Sequence, residues 1–316
     1  MAKDNIKIFT GNANPALAKA ICGELNVPLG DSVVKTFSDG EISVNINETV
    51  RGVDVFMIQP FSIPKVNDYL MELLIAIDAF KRASAGSIAA VIPYYGYARQ
   101  DRKAKARDPI SAKLVANLIS AAGADRVLTM DLHAAQIQGY FDIPLDHLQG
   151  WPVLTSYFKE KNIPDLVLVS PDHGSVTRTR SFAHRLGTQI AIVDKRRPEA
   201  NVSEVMSIIG DVNGKNVLLV DDMIDTAGTI VNAANALREH GAKDIYACCT
   251  HGIFSGPAKT RMAESIIKEW VTLDTIDISD EIRALPNVKV LSTAPLFAEA
   301  ITRIINKESV SIMFEN

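Results

Sequence analysis

The chain has 316 residues, 47% of them hydrophobic, which is enough for a sizeable core and, by length, for two domains. Its 33 basic and 37 acidic residues give a formal net charge of −4, which argues against a general nucleic-acid binder. Three cysteines without metal-binding spacing predict neither a disulfide framework nor a zinc site. No leader-like segment opens the sequence and no apolar run approaches about 18 residues. We therefore expect a cytoplasmic protein without a membrane partner.

Apolar runs typical of buried strands alternate with helical patterns along the chain. Their hydrophobicity is continuous rather than alternating, which indicates strands covered on both faces. The sequence therefore predicts a parallel, doubly wound α/β architecture. The predicted strands are 6–9, 53–58, 88–92, 127–130, 166–170, 190–193, 217–220, 245–250, 271–273 and 288–291. The predicted helices include 67–85, 112–122, 175–186, 230–240 and 296–306.

The pattern is interrupted at His-Leu-Gln-Gly-Trp-Pro, residues 147–152, which is the best internal boundary. Residues 127–131 and 217–222 each lead from an apolar strand through an acidic residue into a short turn. This likeness predicts two copies of one fold. We expect domains at 1–148 and 149–294, followed by a C-terminal helix and tail, 295–316, that packs back on the first domain.

The first polar motif in chain order is Phe37-Ser38-Asp39-Gly40-Glu41. Asp-Gly is a hairpin signal, so the motif predicts a turn between two strands. In a nucleotide site, the phenyl ring and the two carboxylates would offer a platform and acceptors to adenine, whose exocyclic amine is a donor. A plain turn is the alternative.

A basic segment follows at residues 99–108, with five positive and two negative side chains. It comes after Tyr94-Tyr95-Gly96-Tyr97 and has little apolar surface to bury. We expect a mobile lid that closes on a polyanion. A solvated loop is the alternative.

Three further groups of polar residues follow predicted strands. His133 and Asp172 together could hold a divalent ion that also takes phosphate oxygens, since Mg²⁺ needs few protein ligands. His173 is a competing ligand that the spacing does not exclude. The cations Lys195-Arg196-Arg197 come after the strand 190–193, at the strand end where ligands of open α/β sheets bind, and are suited to phosphate.

The most informative stretch is Val-Leu-Leu-Val-Asp-Asp-Met-Ile-Asp-Thr-Ala-Gly-Thr, residues 217–229. A buried strand leads to Asp221 and Asp222, and a small-residue turn then opens a helix. Backbone N–H groups at a helix N-terminus bind phosphate, and the two carboxylates suit vicinal sugar hydroxyls. The pattern predicts a ribose 5-phosphate site and resembles the ribose-phosphate loop of phosphoribosyltransferases. A turn that is capped by Asp225 and Thr226 is the alternative.

From Ile6 to Phe314 the chain resembles the ribose-phosphate pyrophosphokinase family, of the bacterial, phosphate-activated type. The motifs that carry the resemblance are residues 37–41, 94–102, 109–113, 195–198, 221–229 and 251–258. The resemblance implies two tandem phosphoribosyltransferase-like domains and a transferase of nucleotide biosynthesis. Such a kinase moves the β,γ-diphosphoryl group of ATP to the anomeric hydroxyl of ribose 5-phosphate, giving 5-phosphoribosyl 1-diphosphate and AMP. It also implies Mg²⁺ as cofactor and an allosteric homohexamer with phosphate as activator and ADP as inhibitor.

The resemblance assigns roles to residues of this sequence. His133 and Asp172 would bind the metal, and Lys195 and Arg197 would be catalytic. ATP would be contacted by Phe37, Asp39, Gly40, Glu41, Arg99, Gln100 and Asp101. Ribose 5-phosphate would be held by Arg197, Asp221, Asp222, Asp225, Thr226, Ala227, Gly228 and Thr229. Arg51 and residues 309–311 match part of the family's regulatory region.

The chain departs from the family pattern at three positions. Ala227 and Ser175 stand where many relatives have Gly, which we expect to be tolerated because both side chains are small. Ile312 stands where Ser is frequent, which weakens the case for the regulatory site. A phosphoribosyltransferase and a non-catalytic regulatory homologue are the competing functions.

Overall fold

The structure is a computed structural model, which describes residues 5–196 and 205–315 of the chain. The chain forms two compact units. Unit 1 comprises Met1–Gln149, Thr275–Asp277 and Ser292–Asn316, and unit 2 comprises Gly150–Asp274 and Ile278–Leu291.

The sheet of unit 1 has five strands, all parallel, in the order β1-β4-β5-β6-β7. A separate antiparallel hairpin, β2-β3, lies outside this sheet. The strands are β1 (Ile6–Thr10), β2 (Ser32–Thr36), β3 (Ile42–Ile46), β4 (Asp54–Ile58), β5 (Ser87–Ile92), β6 (Arg126–Met130) and β7 (Leu145–Leu148).

Four α-helices among the described residues belong to unit 1. The first begins because the Asn14 side chain accepts a hydrogen bond from the Leu17 N–H and Pro15 occupies the first turn. Phe9 and Phe80 meet in the core with ring centroids 4.7 Å apart. The helices are α1 (Pro15–Leu25), α2 (Val66–Arg82), α3 (Ser111–Ala122) and a C-terminal helix, Ala294–Asn306, that packs against α1.

The sheet of unit 2 has seven strands in the order β10-β9-β8-β11-β12-β13-β14. All neighbours are parallel except β10, which pairs antiparallel with β9 at the edge. The strands are β8 (Leu166–Ser170), β9 (Gln189–Arg196), β10 (Val205–Ile209), β11 (Asn216–Ile224), β12 (Ile245–Gly252), β13 (Glu269–Leu273) and β14 (Val288–Leu291).

The core of unit 2 is aliphatic, with Trp270 as its largest fully buried side chain. Every residue of β12 is buried, as expected for a central strand covered on both faces. The helices of this unit are α4 (Trp151–Lys161), α5 (Val176–Leu186), α6 (Gly228–Glu239), α7 (Ala258–Glu264) and α8 (Asp280–Arg283), and the C-terminal helix of unit 1 is α9.

The predicted α/β class with mainly parallel sheets is confirmed. Four strands were missed by the hydrophobic pattern: β7 and β10 lie at sheet edges, and the hairpin strands β2 and β3 are only partly buried. β7 occupies residues that the sequence analysis placed next to the domain boundary. Within the described residues, no helix is long and apolar enough to cross a membrane.

The three cysteines, Cys22, Cys248 and Cys249, are buried and unpaired with one another. Burial raises the pKa of Cys22 to about 11 and that of Cys249 to about 12, and it also raises the pKa of Cys248 well above its usual value. Since the thiolate is the reactive form, each thiol is protected twice, by inaccessibility and by protonation at neutral pH.

We therefore expect no thiol to react with Ellman's reagent in the native protein at pH 8, and all three to react after unfolding in guanidinium chloride. The absorbance of the released thiolate measures both states. Rapid labelling of even one thiol in the native protein would contradict the burial described here.

Candidate active site

The loops after β8 and β11 lie at the topological switch point of the sheet in unit 2. The two strands are parallel neighbours, from which the chain continues to β9 on one side and to β12 on the other. Ligands of open α/β sheets bind at such a point because the outgoing loops diverge there. β8 ends at Ser170, whereas β11 runs on to Ile224 along β12.

Asp221 and Asp222 therefore lie inside β11 and not at its end, which corrects the predicted strand 217–220. Pairing continues through Asp221 opposite Cys249 and up to Ile224 opposite Gly252. The pairing with β8 stops earlier, at Leu219 opposite Val169. On one side of Asp221 and Asp222, β11 is thus paired with β12. On its other side, β11 faces the loop after β8.

The two neighbouring carboxylates have different surroundings because successive side chains of a strand point to opposite faces. Asp222 is 5% exposed and its Oδ1 lies 3.4 Å from Nη1 of Arg178 on α5. Asp221 is half-buried, and its Oδ1 accepts hydrogen bonds from the Ser175 hydroxyl at 2.7 Å and from the Asp222 N–H at 2.9 Å. The pair thus divides into a buried ion pair and a more accessible carboxylate.

The loop that opens α6 carries no side-chain cap. The N-cap residue is Ala227, which is buried and has a φ of 61°, in the left-handed region. Asp225 instead accepts a hydrogen bond from the Ser255 hydroxyl, while Thr226 and Thr229 are exposed. The N-cap residue of α6 is thus Ala227 and neither Asp225 nor Thr226, and the first N–H groups of the helix are the donors that a phosphate at this end would meet.

Ala227 departs from glycine at a position where backbone conformation matters more than size. A left-handed φ costs a non-glycine residue about 1–2 kcal/mol. The expectation that Ala227 is tolerated because it is small thus overlooked the conformational cost. Ser175 has a φ of −89°, an ordinary value that every residue adopts, so replacing glycine there causes no strain.

Arg261 on α7 lies against the loop that opens α6, a contact that the sequence analysis missed. Its Nη1 donates a hydrogen bond to the Thr226 carbonyl at 2.9 Å, and a Cβ built on Gly228 would lie 2.9 Å from the same nitrogen. A cation at the positive end of a helix is unfavourable unless an anion is bound nearby. Arg261 is 35 residues from Thr226 in the chain, so no local pattern connects them.

The loop after β8 holds Asp172 and His173. The Asp172 Oδ1 accepts a hydrogen bond from the Ser175 N–H at 3.1 Å, and the Asp172 carbonyl accepts one from the Ser170 hydroxyl at 2.6 Å. The Nε2 of His173 lies 2.8 Å from Oδ1 of Asp194, which is itself buried. His173, the competing metal ligand, is thus already engaged through one ring nitrogen.

The strand β9 is longer than the predicted strand 190–193. β9 extends to Arg196 because it pairs antiparallel with β10, with Lys195 opposite Met206. Lys195 therefore lies within a strand rather than after one. Arg197 lies outside the described residues.

In unit 1, residues 37–41 form the predicted turn between β2 and β3. The Phe37 N–H donates to the Glu41 carbonyl at 2.7 Å, and Oδ1 of Asp39 accepts from the Glu41 N–H at 3.1 Å. Gly40 has a φ of 98°, which favours glycine. The Phe37 side chain is 57% exposed, as a platform for a flat ligand must be.

The basic segment 99–108 contains neither helix nor strand, and most of its side chains are exposed. Its first part is anchored by polar contacts. Asp101 is buried and its Oδ2 accepts from Nε2 of Gln136 at 2.8 Å, while Gln100 accepts from the Ser111 hydroxyl. The exposed cations that follow are Arg102, Lys103, Lys105 and Arg107.

The proposed metal ligands are placed at the carboxyl ends of strands in separate units. His133 follows β6 in unit 1 and is exposed, and Asp172 follows β8 in unit 2. Among residues 5–196 and 205–315, no three His, Cys, Asp or Glu side chains form a group that could hold a metal ion.

Comparisons with known proteins agree with this geometry. The sequence model of the N-terminal domain of ribose phosphate pyrophosphokinase matches residues 6–123, and that of the phosphoribosyl synthetase-associated domain matches residues 197–315. Ribose-phosphate pyrophosphokinases of Clostridium tetani and Clostridium perfringens are 66% and 65% identical to this chain, each over 99% of it and 98% of the relative. The crystal structure of phosphoribosylpyrophosphate synthetase from Mycobacterium smegmatis has a TM-score of 0.91 and 44% identity, covering 96% of this chain and 99% of that one.

The chain has two α/β domains with mainly parallel sheets. In the second domain, the strand with Asp221 and Asp222 is followed by the helix α6. These features define a protein of the phosphoribosyltransferase-like class. Within that class the chain belongs to the ribose-phosphate pyrophosphokinase family. The predicted fold, family and type of enzyme are confirmed.

The turn at 37–41 gives a prediction about stability. Gly40→Ala forces a side chain into a left-handed φ and should cost about 1–2 kcal/mol in the β2-β3 hairpin, although open space surrounds the position. Gly23→Ala, in α1, also meets no neighbour but has a helical backbone, so it should stabilise by about 0.5–1 kcal/mol. Amide exchange in the hairpin and urea unfolding of both variants measure the contrast. Equal effects of the two substitutions would contradict it.

Proposed function

We propose that the chain transfers the β,γ-diphosphoryl group of ATP to the anomeric hydroxyl of ribose 5-phosphate, with the roles of individual residues set out below. The observation that carries these roles is the arrangement of Asp221, Asp222 and the uncapped N-terminus of α6 at the switch point of unit 2. It offers one accessible carboxylate for sugar hydroxyls and backbone donors for a phosphate.

The sugar is held from both ends. Asp221 accepts hydrogen bonds from the ribose hydroxyls, and Asp222 fixes the strand through Arg178. The loop of Asp225, Thr226, Ala227, Gly228 and Thr229 surrounds the 5-phosphate with backbone N–H groups and two exposed hydroxyls. The fixed sugar can present its anomeric hydroxyl in one orientation, which is the main contribution that positioning makes to such a transfer.

The nucleotide is held by unit 1. Phe37 stacks on adenine, for which its exposed ring is suited, while Asp39, Gly40 and Glu41 supply acceptors and a turn with fixed geometry. Arg99, Gln100 and Asp101 contact the nucleotide from the base of the basic segment. Since Gln100 and Asp101 are anchored, closure on the phosphates would involve the exposed cations of residues 102–107.

Mg²⁺ is the proposed cofactor, and the donor set suits it. His133 and Asp172 supply one imidazole and one carboxylate, which is too few for a site made of protein alone but sufficient for an ion that keeps waters and binds substrate phosphates. Bound Mg²⁺ would neutralise the charge of the transferring phosphates. Asp172 is oriented for this role by the Ser175 N–H.

Negative charge moves to the leaving AMP oxygen as the diphosphoryl group transfers, and fixed cations stabilise that change. Lys195 is the proposed catalytic cation, and Arg197 acts beside it and also contacts the sugar phosphate. The pairing of β9 with β10 places Lys195 on hydrogen-bonded backbone, which limits the motion of its main chain. Water competes as a nucleophile, and closure of the basic segment would exclude it.

Assembly, regulation and location are proposed from the family. We propose a homohexamer that inorganic phosphate activates and ADP inhibits, located in the cytoplasm. Arg51 and the tail residues contribute to the regulatory site. In the tail, the Ser309 and Ser311 hydroxyls lie 2.9 Å apart, and Nη1 of Arg303 donates to the Ser309 carbonyl at 3.3 Å. Ile312, which replaces a frequent serine, is 51% exposed.

The test of the proposed reaction is a nucleotide assay of the purified chain with Mg²⁺, ATP and ribose 5-phosphate, with and without inorganic phosphate. AMP should form in step with 5-phosphoribosyl 1-diphosphate. Reaction with a free base but no AMP would indicate a phosphoribosyltransferase. No turnover under any of these conditions would indicate a non-catalytic homologue.

Asp221→Ala should weaken use of ribose 5-phosphate far more than use of ATP. Sugar hydroxyls left without a partner cost roughly 1–3 kcal/mol, so the KM for the sugar should rise by about fivefold to 150-fold. Initial rates with each substrate varied in turn measure this. A rise in the KM for ATP alone would place Asp221 outside the sugar site.

Lys195→Ala should lower kcat by about 10²–10³ and leave nucleotide binding nearly unchanged, because the charge acts mainly as the group transfers. Lys195→Arg should recover little of the rate, since the guanidinium has a different shape and reach. Turnover and equilibrium binding of ATP separate the two effects. A rate within about threefold of the parent would exclude this role.

A further inference from the structure

The hydroxyl of Ser175 is used in an unusual way for its position. Ser175 is the N-cap of α5, where a serine oxygen commonly accepts a hydrogen bond from an N–H group of the first helical turn. Here the helix has no side-chain cap, and the hydroxyl donates instead to Oδ1 of Asp221 at 2.7 Å. The bond joins residues that are 46 positions apart, across the switch point between β8 and β11.

The same residue also contacts the other acid of the site. The Ser175 N–H donates to Oδ1 of Asp172 at 3.1 Å. Ser175, which is only 7% exposed, is therefore hydrogen-bonded to both carboxylates. Asp172 is the carboxylate proposed to bind the metal, and Asp221 is the one proposed to bind the sugar.

Two donors meet on one oxygen of Asp221. The Ser175 hydroxyl and the Asp222 N–H both reach Oδ1, so they restrict rotation of the carboxylate about its bond to Cβ. A carboxylate with a fixed plane offers acceptors to vicinal hydroxyls in one orientation, which lowers the entropy lost on binding.

We propose that Ser175 is a positioning residue that sets the affinity of this chain for ribose 5-phosphate through Asp221. The inference rests on the proposed function.

The backbone makes the proposal testable without loss of the fold. The φ of −89° and ψ of 0° at Ser175 are accessible to any residue, and no helix-capping bond is lost on substitution. Ser175→Ala removes only the hydroxyl, and Ser175→Gly also removes Cβ. The matched control is Ser181→Ala on the same helix, whose exposed hydroxyl accepts from Nη1 of Arg185 at 3.1 Å and contacts no residue of the site.

Initial rates of AMP formation by the full chain with Mg²⁺ give KM and kcat for each substrate. Ser175→Ala and Ser175→Gly should raise the KM for ribose 5-phosphate by about five- to tenfold, as expected for one lost hydrogen bond to a carboxylate. The KM for ATP should stay within about twofold, and Ser181→Ala should match the parent. Calorimetric titration with ribose 5-phosphate should show the same loss of affinity.

A double-substitution cycle tests whether Ser175 acts through Asp221. In an Asp221→Ala background, Ser175→Ala should have no further effect on the KM for ribose 5-phosphate. Additive effects, equal rises in both KM values, or no change in sugar affinity with a lowered unfolding temperature would each overturn the proposal.

If the parent makes AMP and Asp221→Ala is specific to the sugar, such a result refutes the role of Ser175 alone. If the parent makes no AMP, the proposed function fails, and the titration still decides whether Ser175 affects sugar binding.

Discussion

The parallel pairing of β8 with β11 is the constraint on which the site of unit 2 depends. It brings the loop after β8 beside β11, so that Ser175 and Asp221, 46 residues apart in the chain, meet at one edge of the sheet. β8 ends at Ser170, whereas β11 continues along β12. Beyond the end of β8, the loop that carries Asp172 and Ser175 therefore lies beside β11. The difference in strand length thus provides the space for the site.

The two acids of β11 show how one dipeptide serves two purposes. A strand directs neighbouring side chains to opposite faces, so Asp222 is buried beside Arg178 and Asp221 stays accessible. A buried carboxylate requires a partner, and the guanidinium of Arg178 supplies it. Asp221 is only half-buried and is hydrogen-bonded to the Ser175 hydroxyl.

The loop that opens α6 has two unfavourable features, a strained backbone at Ala227 and a positive charge from Arg261. Ala227 has a left-handed backbone, and the Arg261 guanidinium lies at the positive end of the helix. Both features are unfavourable in the free protein, and a bound phosphate would compensate the second by placing an anion between two positive partners. Backbone strain and unfavourable charge of this kind are typical of binding sites whose geometry is fixed before the ligand binds.

The alternation of strands and helices, the hairpin turn at 37–41 and the passage from strand to helix at residues 217–229 could be predicted from the sequence alone. These features depend on local periodicity, on Gly40 in a turn and on a strand followed at once by a helix, all of which are written within a few residues. The family also followed from the sequence, because its motifs are long and ordered.

The contacts of the candidate site residues depend on the three-dimensional fold and could not be predicted from the sequence. The extension of β9 to Arg196 comes from pairing with the edge strand β10, and the extension of β11 to Ile224 comes from pairing with β12. The contacts of Ser175 with Asp221 and of Arg261 with Thr226 join residues 46 and 35 positions apart. Sequence patterns report short-range periodicity, whereas strand order and the folding of distant helices onto one edge of a sheet set these contacts.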